Sequence, residues 1–138
     1  MLEGLFPGSL GIMHAALGGL QKREAAISEN LANIDTPSYK RLEVGFESLL
    51  RRYRARHSAD SFDLSTTSPQ HFSAGPQVMA DIVPVTWRST GTAVRNDGNN
   101  VDVDFEMTLL AQTELTYNSL AELMKRDFEG LKSVLRGG

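Results

Sequence analysis

Apolar residues near the amino terminus recur every three or four positions, as they do along one face of an α-helix. The row runs from residue 10 to residue 34, and Glu24 is the one charge at a position where the spacing requires an apolar side chain. It consists of Leu10, Met13, Leu17, Leu20, Ile27, Leu31 and Ile34. Alternating steps of three and four are typical of coiled-coil seams, so we expect one helix about 37 Å long at ~1.5 Å per residue.

The same spacing begins again at Met107, with Glu114 as its charged interruption. This second row comprises Met107, Leu110, Tyr117, Ala121, Met124, Phe128, Leu131 and Leu135. A parallel row, formed by Leu109, Leu120, Leu123 and Val134, makes the apolar surface wider than one partner helix covers. We therefore expect two long helices that pack as a coiled-coil-like hairpin and leave apolar surface for further neighbours.

The segment between the helices has a different composition, rich in Ser, Thr, Pro and Gly. Phe46, Leu49, Leu50 and Tyr53 have helical spacing and predict a short helix near 43–56. Short strands are suggested by "QVMADIVPVTW" (77–87) and "TAVRN" (92–96), and Pro84 implies that a strand there is broken or lies at a sheet edge. The predicted fold is mainly α: an amino-terminal helix within 1–34, a turn at 35–41, a small irregular, β-containing centre at 42–100, and a carboxy-terminal helix within 101–138.

The stretch "NLANIDTPSYKR" (30–41) predicts a definite end to the first helix. Asn33 or Asp35 is suited to the left-handed conformation that ends many helices, and Pro37 cannot continue the helical hydrogen bonds. Thr36, which precedes the proline, is restricted to an extended conformation. Tyr39 then offers an amphipathic side chain to pin the turn onto a neighbouring surface.

Length and composition exclude several classes of protein. A chain of 138 residues is normally one domain, and its apolar runs are too short to span a bilayer. The absence of cysteine removes disulfides and thiol catalysis. The amino terminus lacks the basic flank and cleavage site of a secretory signal, so we expect no cleaved signal peptide.

Charge is distributed unevenly although the net value is only −3. The segment "RRYRARH" (51–57) interleaves Arg51, Arg52 and Arg54 with an aromatic residue, a pattern that nucleic-acid sites use. On an acidic chain we prefer a solvated helix face or a contact with acidic protein, and we expect no nucleic-acid partner.

The acidic segment "DGNNVDVDFE" (97–106) resembles a calcium loop but lacks the glycine and the bidentate glutamate that an EF-hand requires. We expect instead a turn at Asp97 and Gly98, with Asp102 or Asp104 capping the second long helix. The three histidines have no metal-ligand spacing, and no nucleophile, paired carboxylates or phosphate loop is present. The sequence therefore predicts neither an enzyme nor a cofactor.

Glu24 and Glu114 interrupt the two seams. If Ile34 packs beside Met107 in an antiparallel hairpin, Glu24 falls opposite Tyr117 and Glu114 opposite Ile27, within about two helical turns of each other. Two carboxylates there need a cation, and we hypothesise that an arginine of another subunit supplies it. The alternative is that both side chains face solvent.

These residues resemble a known family. "SENLANIDTPSYKR" is similar to the motif N-x-A-N-x-x-T-P-G-Y-K of bacterial flagellar axial proteins, which include rod and hook proteins. The matching residues are Asn30, Ala32, Asn33, Thr36, Pro37, Tyr39 and Lys40. Ser38 stands where the family has glycine, so we expect the backbone there to avoid a conformation restricted to glycine. Phe46, "DGNNVDVDFEM" and the ending "GLKSVLRGG" resemble the proximal-rod branch.

The resemblance implies a structural role without catalysis. Proteins of this family are building blocks of a helical tube that are exported through the flagellar type III apparatus and fold as they assemble. By resemblance, the partners are further copies of the chain, other rod proteins, the basal adaptor of the rod and the membrane-ring protein. The location implied is the periplasm-spanning rod of the basal body, where the rod transmits torque from the membrane ring to the distal rod and hook.

Two alternatives remain open at this stage. The chain is a different proximal rod protein of the same family, or it belongs to another class as a cytosolic helical adaptor or DNA-binding regulator. Low helicity in dilute solution that rises on co-assembly favours a rod protein, whereas salt-sensitive retention on DNA favours the regulator.

Overall fold

The computed structural model describes residues 9–56, 82–91 and 95–136. These residues form three helices and two strands: α1 (Ser9–Ala32), β1 (Leu42–Gly45), α2 (Glu47–Arg56), β2 (Val85–Arg88) and α3 (Val103–Arg136). The predicted mainly α fold with a small β-containing centre is confirmed. Within the described ranges no helix is both long enough and apolar enough to cross a membrane.

The two long helices pack antiparallel, because the chain re-enters at the carboxyl end of α1 just before α3 begins. Midway along the pair, Gln21 Nε2 donates a hydrogen bond to Tyr117 Oη at 3.3 Å. The hypothetical pairing of Ile34 with Met107 would place Glu24, rather than Gln21, opposite Tyr117. The Gln21–Tyr117 bond favours a register that differs from this by about one helical turn.

The sheet replaces part of the short helix that the sequence predicts. β1 pairs antiparallel with β2, from Leu42 opposite Arg88 to Gly45 opposite Val85. The helix predicted near 43–56 therefore begins only at Glu47. β2 falls at the end of the predicted strand 77–87 and begins directly after Pro84, which has no N–H to donate to a strand partner. Residues 82–84 of that prediction are described and form no strand, and Arg95 and Asn96 of "TAVRN" lie in a turn, so these parts of the strand predictions are wrong. Residues 77–81 and 92–94 lie outside the described residues.

The hydrophobic core lies on one flank of α1. Ala16, Leu20 and Ala26 of α1 are buried against Val44 and Phe46. Partly buried residues from three elements complete it: Leu42, Leu50, Tyr117 and Leu120. Here α1 contacts the sheet and α2 on one side and α3 on the other.

Burial does not follow the predicted seams evenly. In the first predicted row, Leu10, Leu20 and Ile27 are buried, while Met13, Leu17, Leu31 and Ile34 are partly buried, and Ile34 lies in the turn after α1. In α3 the buried positions are Glu106 and Thr113, each one residue before a predicted seam position. Of the predicted α3 residues, Leu110, Tyr117, Ala121 and Met124 are partly buried, and Met107, Phe128, Leu131 and Leu135 are exposed. The part of α3 that faces the rest of the chain is therefore rotated from the predicted row.

The adjacent glycines of α1 give a first test, because their surroundings differ. A Cβ at Gly19 would collide with the Phe46 ring, whose Cδ1 lies 2.6 Å from the ideal position, whereas nothing lies within 4 Å of one at Gly18. We expect Gly18→Ala to raise the free energy of unfolding by up to ~1 kcal/mol through helix propensity. Gly19→Ala should lower it by about 1–2 kcal/mol through overpacking. Thermal unfolding followed by circular dichroism measures both, and equal effects would contradict this packing.

Candidate assembly site at the helix junction

The turn that follows α1 is held by a side chain from far along the sequence. Nδ2 of Asn99 donates to the carbonyl oxygens of Asn33, Ile34 and Thr36 at 3.1, 3.0 and 3.0 Å. Asn99 is 0% exposed, and its Oδ1 accepts the Val101 N–H at 2.7 Å. One buried amide therefore satisfies carbonyl groups of this turn and fixes the loop that precedes α3.

The turn after α1 does not use the left-handed conformation that the sequence predicts at Asn33 or Asp35. Among the described non-glycine residues, a positive φ occurs only at Ser38, at 59°. Asn33 and Asp35 therefore do not end the helix by a left-handed conformation, and that prediction is wrong. The expectation for Ser38 is also wrong, because its backbone lies in the left-handed region that favours glycine. Its N–H donates to the Asp97 carbonyl at 3.0 Å, which fixes the strained turn against the opposite loop.

Asn30 holds the returning chain against α1. Its Oδ1 accepts the Leu42 N–H at 2.7 Å, and its Nδ2 donates to the Leu42 carbonyl at 2.9 Å, as a neighbouring strand would. The Tyr39 hydroxyl donates to Asn30 Oδ1 at 3.2 Å. Burial, and next the charge of Glu29, raise the pKa of Tyr39 although Arg88 opposes them, so the hydroxyl stays protonated and donates. Tyr39 pins the turn as predicted.

The remaining motif residues complete the turn. Asn33 Nδ2 donates to the Glu29 carbonyl at 2.9 Å, and the Thr36 hydroxyl donates to Asn33 Oδ1 at 3.1 Å. Lys40 Nζ donates to the Gly98 carbonyl at 2.7 Å. Ala32 and Pro37 are exposed. Five of the seven motif side chains therefore make hydrogen bonds that order residues 30–41 or join them to the loop 95–101.

A buried ion pair joins the same turn to the start of α3. Arg41 Nε lies 2.9 Å from Oε1 of Glu106, which is 0% exposed, and Arg41 Nη1 lies 2.9 Å from Glu43 Oε1. The guanidinium also lies over the Phe105 ring, 4.8 Å from its centroid. Breaking one partner of such a pair leaves a buried charge unpaired, at a typical cost of about 3–5 kcal/mol. The junction is therefore held at both helices.

The loop between β2 and α3 forms the turn and the helix cap that the acidic segment 97–106 predicts. The Gly98 N–H donates to the Arg95 carbonyl at 3.1 Å and Gly98 has φ of 83°, which makes the expected turn. Asp102 Oδ1 accepts the N–H groups of Asp104 and Phe105 at 2.9 and 3.2 Å, so Asp102 is the predicted cap. No group of three or more His, Asp or Glu suited to a metal ion occurs among the described residues.

Four residues central to this junction were missed by sequence reasoning: Arg41, Asn99, Asn100 and Glu106. Asn100 Oδ1 accepts the Arg41 N–H at 2.7 Å. The sequence signal for Asn99 and Asn100 was their position directly after the predicted turn at Asp97 and Gly98, because asparagine side chains commonly hydrogen-bond backbone groups in turns. Glu106 had a second signal, since it lies seven residues before Thr113 and thus on the same helix face.

The charged residues singled out from the sequence lie apart from the junction. Glu24 and Glu114 are both exposed, and the side chains of Arg51, Arg52 and Arg54 are exposed on α2. The ion pairs among the described residues involve Arg23 with Glu47, Arg41 with Glu43 and Glu106, and Arg95 with Asp35 and Asp97. None of the five singled-out charges belongs to these pairs.

Similar proteins are known along almost the whole chain. The flagellar basal body rod protein FlgB of Bacillus subtilis is 37% identical, with 97% of this chain and 98% of that protein covered. The proteins of that name from Aeromonas hydrophila and Salmonella typhimurium are 33% and 30% identical, with 96% and 94% of each chain covered. No protein-family model matches the sequence.

Asn99 gives a sharp test of the junction. Asn99→Ala and Asn99→Asp both remove the N–H donors for three carbonyls, and unsatisfied buried groups typically cost ~1–3 kcal/mol each. We expect either variant to lower the free energy of unfolding by about 2–3 kcal/mol. Asn118→Ala, at an exposed position of α3, should change it by less than about 0.5 kcal/mol. If Asn99→Asp unfolds at the wild-type temperature, the Asn99 amide does not stabilise the turn after α1.

Ser38 gives a test in which a substitution is expected to raise the free energy of unfolding. The left-handed conformation costs a non-glycine residue about 1–2 kcal/mol, and glycine adds about 0.4–1 kcal/mol of unfolded-state entropy. Ser38→Gly should therefore raise the free energy of unfolding by about 0.5–1 kcal/mol. Ser28→Gly, exposed within α1, should lower it by about 0.5 kcal/mol because glycine disfavours helix. The midpoints of thermal unfolding compare the two, and a loss in Ser38→Gly would refute the conformational argument.

Proposed function

The chain belongs to the FlgB family of flagellar basal body rod proteins, and from this premise we propose that it is a self-assembling subunit of the proximal rod that transmits torque from the membrane ring to the distal rod and hook. In this role α1 and α3 form the inner helical layer of a tube. The turn 35–41 sets how the chain leaves α1, and the segment 42–100 forms the outer part. The chain acts mechanically, without catalysis or a cofactor.

The observation that carries this proposal is the exposed apolar surface at the end of α3. Every residue from 125 to 136 is exposed, and the exposed fractions are 48% for Leu131, 79% for Val134 and 86% for Leu135. Extended apolar surface of this kind is typical of interaction sites. Neighbouring subunits in a helical array would remove it from water, at about 25 cal/mol per Å² of apolar area.

The junction supports the mechanical part of the proposal. A hairpin that carries torsion must not hinge where its two helices meet. The buried side chains of Asn30, Asn99 and Glu106 hold the end of α1, the start of β1 and the start of α3 to one another. Because opening the junction would leave these polar groups without partners, twist applied to one helix passes to the other.

The proposed partners follow from the family. They are other copies of the chain, other rod proteins, the basal adaptor, the membrane-ring protein and the type III export apparatus. Folding on association suits this route: in dilute solution the exposed last third of α3 has few contacts to offset its ordering entropy. Helicity of this last third of α3 is then low in the dilute chain and rises on co-assembly.

Leu131→Asp separates assembly from folding within the chain. Leu131 contributes to the exposed end of α3, so its replacement should change the free energy of unfolding of the isolated chain by less than about 0.5 kcal/mol. In a strain that lacks its own copy of the protein, the same variant should abolish swimming and be missing from isolated basal bodies, because a carboxylate would be buried at the subunit contact.

Ser133→Asp is the matched control, since it adds the same charge two residues away and outside the apolar rows. It should retain swimming. Secreted, unassembled Leu131→Asp protein in the medium would show that export is intact. The proposed function fails if the unaltered chain neither restores swimming nor enters basal bodies.

A further inference from the structure

The outward side of α2 carries three arginines without partners in the described chain. Leu50 of α2 packs on the core and Tyr53 is partly buried, while Arg51, Arg52 and Arg54 are exposed. We call these three side chains the arginine face. The only acid of α2 is Glu47, which pairs with Arg23 of α1. Among the described residues, no ion pair compensates the arginine face, although the net charge of the chain is −3.

The complementary surface lies between the two long helices. Because Gln21 is bonded to Tyr117 in an antiparallel pair, Glu24 and Glu114 each lie three residues, or about 4.5 Å, from that bond in the same direction. The two carboxylates therefore stand at the same height, on adjacent helices. Both are exposed, and among the described residues neither forms an ion pair. Two carboxylates at one level of adjacent helices form an anionic surface that attracts a cation.

Among the described residues, no ion pair joins the arginine face to Glu24 or Glu114 within one chain. Each surface is therefore available to another molecule.

We propose that the arginine face of one copy docks on the Glu24 and Glu114 carboxylates of a second copy. The guanidinium fork of arginine matches carboxylate geometry and bridges two carboxylates with separate N–H groups. Since the interacting surfaces differ, the contact is heterologous and repeats head to tail, as an open helical assembly requires. This inference rests on the proposed function and specifies one subunit contact within it.

Charge exchange tests the contact. In the complemented strain, Arg51→Glu/Arg52→Glu/Arg54→Glu and, separately, Glu24→Arg/Glu114→Arg should each reduce incorporation into basal bodies by at least about tenfold, since close charge pairs contribute ~1.5 kcal/mol or more. Combining all five substitutions should restore incorporation, because the reversed charges again attract. Glu122→Arg, at an exposed position of α3, is the control and should incorporate normally.

The outcomes separate the two proposals. Absence of the unaltered chain from basal bodies refutes the proposed function. Normal incorporation of the unaltered chain together with normal incorporation of either charge-reversed variant overturns this contact alone. Failure of the combined variant to recover also overturns it, provided that circular dichroism of the purified variants matches the unaltered chain. Salt-sensitive retention of the unaltered chain on DNA that the arginine variant loses would overturn it too, by assigning the arginine face to nucleic acid.

Discussion

The side-chain amide of Asn99 holds the turn after α1, which lies more than 60 residues before it, and the rest of the described structure depends on that contact. Its three carbonyl partners lie 63, 65 and 66 residues away along the chain. In the unfolded chain, bringing these groups together has a large entropic cost, because a long loop must close. The cost is offset only because the same loop also supplies Asn100 to Arg41 and leads directly to Glu106. The Asn99 contacts, the turn after α1 and the start of α3 therefore form cooperatively.

Polar residues fix the geometry of this protein, and apolar residues supply much of its surface. In a typical small domain a hydrophobic core sets the arrangement and polar groups decorate it. Among the described residues, the largest fully buried side chains are those of Ile27, Asn30, Asn99 and Glu106, three of which are polar. Hydrogen bonds are directional, so a buried polar network tolerates one arrangement, whereas apolar contacts slide with small cost. Under the proposed function, a protein must hold its long helices at a fixed angle, and directional hydrogen bonds maintain that angle better than apolar contacts do.

The sequence predicts the long helices, the edge position of β2, the Asp102 cap and the pinning role of Tyr39, because each depends on local spacing or local chemistry. It does not predict β1, because Leu42 and Val44 alternate over only four residues and overlap the helical spacing that starts at Phe46. It also misplaces the buried face of α3. Apolar residues occur in two parallel rows there, and the row that turns inward begins with Glu106 and Thr113, whose polarity conceals it. The tertiary partners of these residues decide the outcome, and no local pattern contains them.

The mismatch between the predicted seam and the buried face has a physical meaning of its own. A helix that served only its own chain would place its apolar residues where the chain buries them. α3 instead leaves Met107, Leu131 and Leu135 exposed while burying a glutamate and a threonine. Oε1 of the glutamate has Arg41 as its partner, and the Thr113 hydroxyl donates to the Leu109 carbonyl at 2.7 Å, so these two polar residues share the inward face with Tyr117 and Leu120. Under the proposed function, such an arrangement keeps the exposed apolar residues available for contacts between subunits, and the chain's own packing does not compete with assembly for them.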